Sequence, residues 1–208
     1  MSDFIEIAEK TYTLYAGVNG AGKTTLYRVC GYPASDKRIN SDEILAAAGG
    51  DWRDNTQQFN AMREAVDRIN RYITEGVSFH QETTLSGNFG FVKKAISQGY
   101  KIKLYYVGLE SADLAIQRVQ CRVKKGGHGV EEDVIRKRYQ SSLSNLKKIL
   151  PMCSFVKVLD NTKEYRTIAI YNKGIWTIFE NNCGWFNQAI LDGTEGYADS
   201  LPPGTSLR

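Results

Sequence analysis

The residues of this 208-residue chain whose types and spacing most clearly imply chemistry lie near its start, Gly17-Val18-Asn19-Gly20-Ala21-Gly22-Lys23-Thr24-Thr25. Gly17, Gly22, Lys23 and Thr24 satisfy the pattern G-x-x-x-x-G-K-[ST] in full. Glycines at these positions let the backbone wrap so tightly that its N–H groups, with a helix N-terminus behind them, point at phosphate oxygens. The implied ligand is a nucleotide, its phosphates cradled by Gly17, Asn19, Gly20, Ala21, Gly22, Lys23, Thr24 and Thr25. Lys23 would reach the β- and γ-oxygens and Thr24 would ligate Mg²⁺. The chain carries neither an N-K-x-D guanine signature nor the glutamine-rich dipeptide signature of transporter ATPases, which argues against both of those classes.

Two carboxylates and a set of arginines are spaced to work beside such a loop. Asp42 follows a short β-type run, and Glu82 ends another. Ligands in open α/β sheets sit at the carboxyl ends of the strands, where both acids would fall. Asp42, at the start of a helix, is a candidate base for an acceptor hydroxyl; a helix-capping acid is the plainer reading. Glu82 could orient the acceptor, help hold Mg²⁺ through water, or simply be an exposed strand end. Thr83 adjoins it on the acceptor side. Arg118 and Arg122, spaced i, i+4, share one helix face, while Arg136 and Arg138 lie across the glycine hinge Gly126-Gly127-His128-Gly129. Arginines on a closing lid would stabilise the migrating phosphoryl group and exclude water; solvated helix arginines are the alternative. His128 could bond substrate or cap the next helix.

The elements that must position these groups are legible as alternating runs. Thr11 to Ala16 reads as a strand, followed by the loop and a helix from Thr25 to Cys30. Arg38 to Asn40 forms a second strand, with Ser41 capping a helix whose first turn holds Asp42 and Glu43. Phe59, Met62, Val66, Ile69 and Ile73 recur as one apolar face of a helix between Asn55 and Ile73. Further strands are expected at Val77 to Gln81, Lys101 to Val107 and Phe155 to Leu159, with helices at Phe89 to Ser97, 111–125 and 131–149. This alternation predicts a parallel sheet covered by helices on both faces. Thr167 to Tyr171 and Ile175 to Phe179, flanking Asn172-Lys173-Gly174, predict a hairpin at the sheet edge, with Gly193 to Arg208 as an irregular tail.

Hydrophobic residues make up 42% of the chain, and 27 basic residues against 23 acidic ones leave a formal charge of +4. The surplus is concentrated: residues 117–148 hold nine basic and three acidic side chains. Charge gathered there argues for nucleotide phosphates ahead of nucleic acid or a membrane surface. No apolar run reaches the roughly 20 residues of a membrane span, and Met1 to Phe4 show no leader pattern. Cys30, Cys121, Cys153 and Cys183 lack close spacing, which argues against a metal knuckle or disulfide framework. Cytoplasmic, reduced thiols are the expectation.

With these residues in view, the sequence resembles the zeta-toxin family of small phosphate-loop kinases, in its short stand-alone branch of predicted ATPases. The likeness spans about residues 11 to 161. It rests on the loop, on Ile39-Asn40-Ser41-Asp42-Glu43-Ile44, on Gln81-Glu82-Thr83-Thr84, and on the lid elements Arg118-Val119-Gln120-Cys121-Arg122-Val123, Gly126-Gly127-His128 and Arg136-Lys137-Arg138-Tyr139. The resemblance implies an α/β P-loop NTPase fold with an adenylate-kinase-like parallel sheet of five strands, a helical lid over about 111–150, and the hairpin at about 165–180 as an addition. Residues 1–192 would form one domain. It further implies an ATP-dependent kinase acting on a hydroxyl of a small acceptor, UDP-N-acetylglucosamine in characterised members, held by a small antitoxin protein. Lys23 matches the loop lysine, Asp42 the base, Glu82 the substrate-side acid and Arg118 one lid arginine; Arg122, Arg136 and Arg138 compete for the second. A nucleoside or polynucleotide kinase, and a nucleotide-dependent switch with slow hydrolysis, are the alternatives.

Overall fold

The computed structural model describes residues 9–29, 37–172 and 174–191. Five parallel strands form its centre: β1 (Thr11–Ala16), β2 (Arg38–Ile39), β3 (Phe79–Thr83), β4 (Lys101–Gly108) and β5 (Phe155–Asp160). Two antiparallel strands, β6 (Arg166–Asn172) and β7 (Ile175–Ile178), extend the edge, giving the order β2-β3-β1-β4-β5-β6-β7. The expected five-stranded parallel sheet and edge hairpin are therefore both present. The register sets Tyr15 beside Glu82 and Ala16 beside Thr83, so the end of β3 adjoins the root of the glycine loop.

Alternation along the strands builds a core on each face of the sheet. Tyr12, Leu14, Phe79, Ile102, Leu104, Val156 and Val158 pack with Ile69, Ile73, Leu146 and Ile149 on one side. On the other, Tyr15 and Val107 meet Leu26, Ala115, Ile116, Val119 and Ile135. The helices that supply these groups are α1 (Lys23–Val29), α2 (Ser41–Ala47), α3 (Asn55–Glu75), α4 (Gly90–Ser97), α5 (Ala112–Lys124) and α6 (Glu132–Ile149). A short helix α7 (Gly184–Phe186), continued as a π turn through Leu191, closes over the hairpin. α3 begins at Asp54, whose carboxylate accepts from the N–H groups of Thr56 and Gln57, a cap worth about 1 kcal/mol. It ends at Gly76, whose φ of 70° closes the last turn.

Several expectations are corrected. The cap of α2 is Asn40, not Ser41: its Oδ1 accepts from the Asp42 N–H at 3.0 Å. α1 starts at Lys23, inside the glycine loop; Cys30 and the tail Gly193 to Arg208 lie outside the described residues. The buried face of α3 runs through Ala61, Ala65, Ile69, Tyr72 and Ile73. Phe59, Met62 and Val66, counted as core by their apolarity, are 59%, 56% and 37% exposed. The neighbouring α2 packs against α3, whose two alanines offer a flat face there. His128 does not cap α6; Glu131 holds that position and makes no side-chain cap bond.

Asp160 anchors the hairpin to the sheet. It is 1% exposed and accepts from the Thr162 hydroxyl at 2.6 Å, the Trp185 indole at 2.9 Å and Arg166 at 2.9 Å. Burial pushes its carboxyl up, but the three donors outweigh it and hold the group below the ordinary carboxylate value. Trp185 lies flat on Gly108, where a methyl group would come within 2.2 Å of its ring.

Candidate active site

The glycine loop joins β1 to α1 and is shaped from outside as well as within. Gly20 has a φ of +82°, and a methyl there would sit 2.7 Å from the Ala115 carbonyl oxygen of α5. Gly22, at φ +103°, would meet the Tyr165 hydroxyl at 2.4 Å and the Asn161 amide at 2.6 Å. Both neighbours bond the loop. Asn161 Nδ2 donates to the Ala21 carbonyl at 2.8 Å, and the Tyr165 hydroxyl donates to the Gly22 carbonyl at 2.6 Å. Those two bonds pin loop carbonyls from outside, and a bound anion would be taken by the loop's N–H groups.

Lys23 is buried, with Nζ donating to the Val18 carbonyl at 3.0 Å across the loop. Burial pulls its ammonium below the ordinary lysine value; Glu82 and Asp42 oppose that, while Arg122 and Arg138 add to it. The charges of two acids and two arginines from four separate elements are thus felt at the loop lysine. The Thr24 hydroxyl lies 3.0 Å from each Glu82 carboxylate oxygen. Glu82 is further held by Arg38 at 2.7 Å and the Asn40 amide at 3.0 Å, and Arg38 in turn stacks on Tyr27 at 4.3 Å and pairs with Glu43. Thr83 turns the chain, its hydroxyl accepting from the Leu85 N–H at 3.1 Å. Leu85 has a φ of +57°, and backbone of this kind in a non-glycine residue concentrates at functional loops.

Asp42 projects from the first turn of α2, and His128 Nε2 from the hinge between α5 and α6 comes within 3.6 Å of its Oδ1. Gly129 beside it sits against Trp52, where a methyl would lie 2.4 Å from the ring. Arg138 Nη1 donates to Asn19 Oδ1 at 3.0 Å, tying α6 to the loop. Arg122 places Nε and Nη2 in buried positions with no hydrogen-bond partner among the described residues. Arg118 Nη2 donates to the Thr162 carbonyl at 3.0 Å, beside a basic cavity of about 500 Å³ lined also by Gln117, Arg122 and Lys125.

Arg136 is not brought to this cluster: it pairs with Asp113 of α5 at 2.7 Å, because positions two apart on a helix face opposite ways and Arg138 takes the inner one. Thr25 is exposed on α1, while Gly17 lies at the buried root of the loop. The sequence reading did not single out Arg38, Trp52, Asn161 or Tyr165. Asn161 follows the carboxyl end of β5, where the strand-end rule that drew attention to Asp42 and Glu82 also points; Arg38, which opens β2, and Trp52 and Tyr165 carry no such signal.

The cradle fits a nucleoside triphosphate: positive-φ glycines, a buried lysine, and two arginine nitrogens buried without hydrogen-bond partners among the described residues. For a metal, Thr24 and Glu82 offer one hydroxyl and one carboxylate, and no group of three or more His, Cys, Asp or Glu gathers among the described residues. That small donor set suits Mg²⁺, which binds through one or two protein ligands, phosphates and water. Among the described residues no helix is long and apolar enough to cross a membrane.

Sheet order and glycine loop define the class: this is a P-loop NTPase fold, a parallel five-stranded sheet with an antiparallel edge hairpin. No family model matches the chain. It is similar to an uncharacterized protein of Haemophilus influenzae, 34% identical over 127 residues that span 60% of this chain and 89% of that one. The chain belongs to the same family as that Haemophilus influenzae protein. Among solved structures it resembles AvrRxo1-ORF1:-ORF2 with ATP, with a TM-score of 0.67, 14% identity and 87% of this chain covered. The PezAT chromosomal toxin-antitoxin system of Streptococcus pneumoniae follows at a TM-score of 0.58 and 16% identity, covering 88% of this chain and 79% of that one. The chain spans 63% of the length of the AvrRxo1 chain.

Proposed function

We propose that this protein is an ATP-dependent kinase that transfers the γ-phosphoryl group to a hydroxyl of a small acceptor. The observation that carries the reading is the glycine loop with its buried Lys23, whose Thr24 meets Glu82 at 3.0 Å and whose Asn19 is bonded by Arg138 at 3.0 Å. A base for the acceptor, a holder for the metal-binding hydroxyl and cations for the migrating group are the parts phosphoryl transfer requires.

In this reading the loop N–H groups and Lys23 bind the β- and γ-phosphates. Thr24, with Glu82 behind it, would hold Mg²⁺, whose charge would offset that of the phosphates. Asp42 accepts the proton of the acceptor hydroxyl as its oxygen bonds to phosphorus and the bond to the ADP oxygen breaks. Arg122 supplies the cation for the equatorial oxygens, Arg138 bridges lid and loop through Asn19, and Arg118 serves the nucleotide from the Thr162 side. Glu82, Thr83 and His128 border the acceptor, while Arg136 is assigned no part.

The acceptor we favour is a nucleotide sugar such as UDP-N-acetylglucosamine, on the resemblance to zeta toxins. A small antitoxin is the favoured partner: similar folds occur in AvrRxo1-ORF1:-ORF2 and in PezAT, a toxin-antitoxin system. Reduced cysteines, free at Cys121, Cys153 and Cys183, agree with a cytoplasmic setting. The test is incubation with ATP, Mg²⁺ and UDP-N-acetylglucosamine or a metabolite extract, read by mass spectrometry. A product heavier by one phosphoryl group is expected, and Asp42→Asn should bind ATP normally and make none. ATP hydrolysis indifferent to every acceptor, with partner binding that follows the nucleotide state, would instead favour a switch.

A further inference from the structure

His128 stands in the hinge Gly126-Gly127-His128-Gly129, between the two lid helices, and its imidazole faces the proposed base rather than the glycine loop. Its side chain is 18% exposed against 40% for Asp42, so the imidazole covers one side of a carboxylate that stays open on another. The hinge is seated by Gly129 against Trp52, and Trp52 and His128 rings lie 5.8 Å apart. Trp52 belongs to the connection between α2 and α3, so the hinge docks on the same layer that carries Asp42.

We propose that His128 is a positioning residue for Asp42: when the lid is seated on Trp52, Nε2 engages Oδ1 and leaves Oδ2 to accept the acceptor's hydroxyl proton. This rests on the kinase reading above and deepens it, because the base is correctly set only when the arginine-bearing lid is in place. Closure and proton acceptance are thereby coupled without a contact between His128 and the phosphates. The groups that face the imidazole are Asp42 from α2, Arg122 from α5, Arg138 from α6 and the Trp52 ring. Burial and the two arginines lower its proton affinity and Asp42 raises it, with a net lowering. That lowering favours the neutral imidazole, which can donate one N–H to the carboxylate without adding a charge.

The test combines a titration with a mutant cycle on the full chain. With only two histidines, His80 and His128, imidazole NMR resolves both. Asp42→Asn should lower the His128 titration midpoint and leave that of His80 in place. His128→Ala should reduce kcat about a hundredfold, with UDP-N-acetylglucosamine or water as acceptor, and leave KM for ATP within about twofold. His128→Gln, which keeps a donor, should recover part of the loss, and His128→Ala should add nothing in an Asp42→Asn background. An unmoved His128 midpoint, additive losses, or an effect confined to KM would overturn the proposal. A wild-type protein that turns over ATP with no acceptor, water included, would defeat the kinase reading instead, while the titration still decides whether His128 engages Asp42.

Discussion

In the proposed kinase the glycine loop and the lid would handle the same phosphates by opposite means. In the loop the lysine, the threonine and two carbonyls are already engaged: Lys23 with Val18, Thr24 with Glu82, and the Ala21 and Gly22 carbonyls with Asn161 and Tyr165. In the lid, Arg122 holds two buried nitrogens without partners, and Arg138 is tied to the loop by a single bond to Asn19. A pre-set cradle binds ground state and transition state alike, whereas an arginine kept in reserve can bind hardest when charge migrates. Affinity should therefore reside in the loop and rate in the lid.

The strongest challenge to that division is Arg122→Ala, which should lower kcat for phosphoryl transfer by about 10³-fold while KM for ATP changes little. A loss seen in KM alone would erase the distinction. Gly22→Ala should do the reverse, adding roughly 2–3 kcal/mol of backbone strain and collision with Tyr165 and Asn161, or about a hundredfold in ATP Kd by titration calorimetry.

Support for the cradle from the hairpin should appear as stability. Asp160→Asn should cost about 2 kcal/mol, roughly 4–8 °C in Tm at pH 7. Because the folded state holds the Asp160 carboxyl below its ordinary value, its contribution is complete above about pH 4 and lost as pH falls through the folded pKa, where the two melting curves should meet. Tyr165→Phe should weaken ATP binding by about 1 kcal/mol, roughly fivefold. Arg136→Ala, paired only with exposed Asp113, should alter neither kinetics nor stability by more than about 0.5 kcal/mol.

What the sequence made legible was local. The glycine loop, the helix-start acid Asp42 and the strand-end acid Glu82 could be placed because each is defined by its immediate neighbours in the chain. The parallel strands and the hairpin likewise follow from runs whose periodicity survives in the structure. What was hidden depends on the phase or order of distant elements. Arg136 and Arg138 differ only by which face of α6 meets the loop. Phe59, Met62 and Val66 form a sound apolar stripe, yet the flanking alanine face is the one the neighbouring elements cover. Asn161 lies 140 residues from the carbonyl it braces, a contact set by the sheet order β1-β4-β5, in which β5 is one strand removed from β1.

That brace redraws the limits of the working unit. A chain cut after Asp160 would keep all five parallel strands, the glycine loop and both lid helices, and by motif content would count as whole. It would also lose the two side chains that pin the Ala21 and Gly22 carbonyls from outside, and Trp185 would no longer shield Gly108. The chain that leads into the edge hairpin is thus not a detachable ornament but the outer brace of the glycine loop, and a transplantable module would have to include the chain through α7 and its π turn.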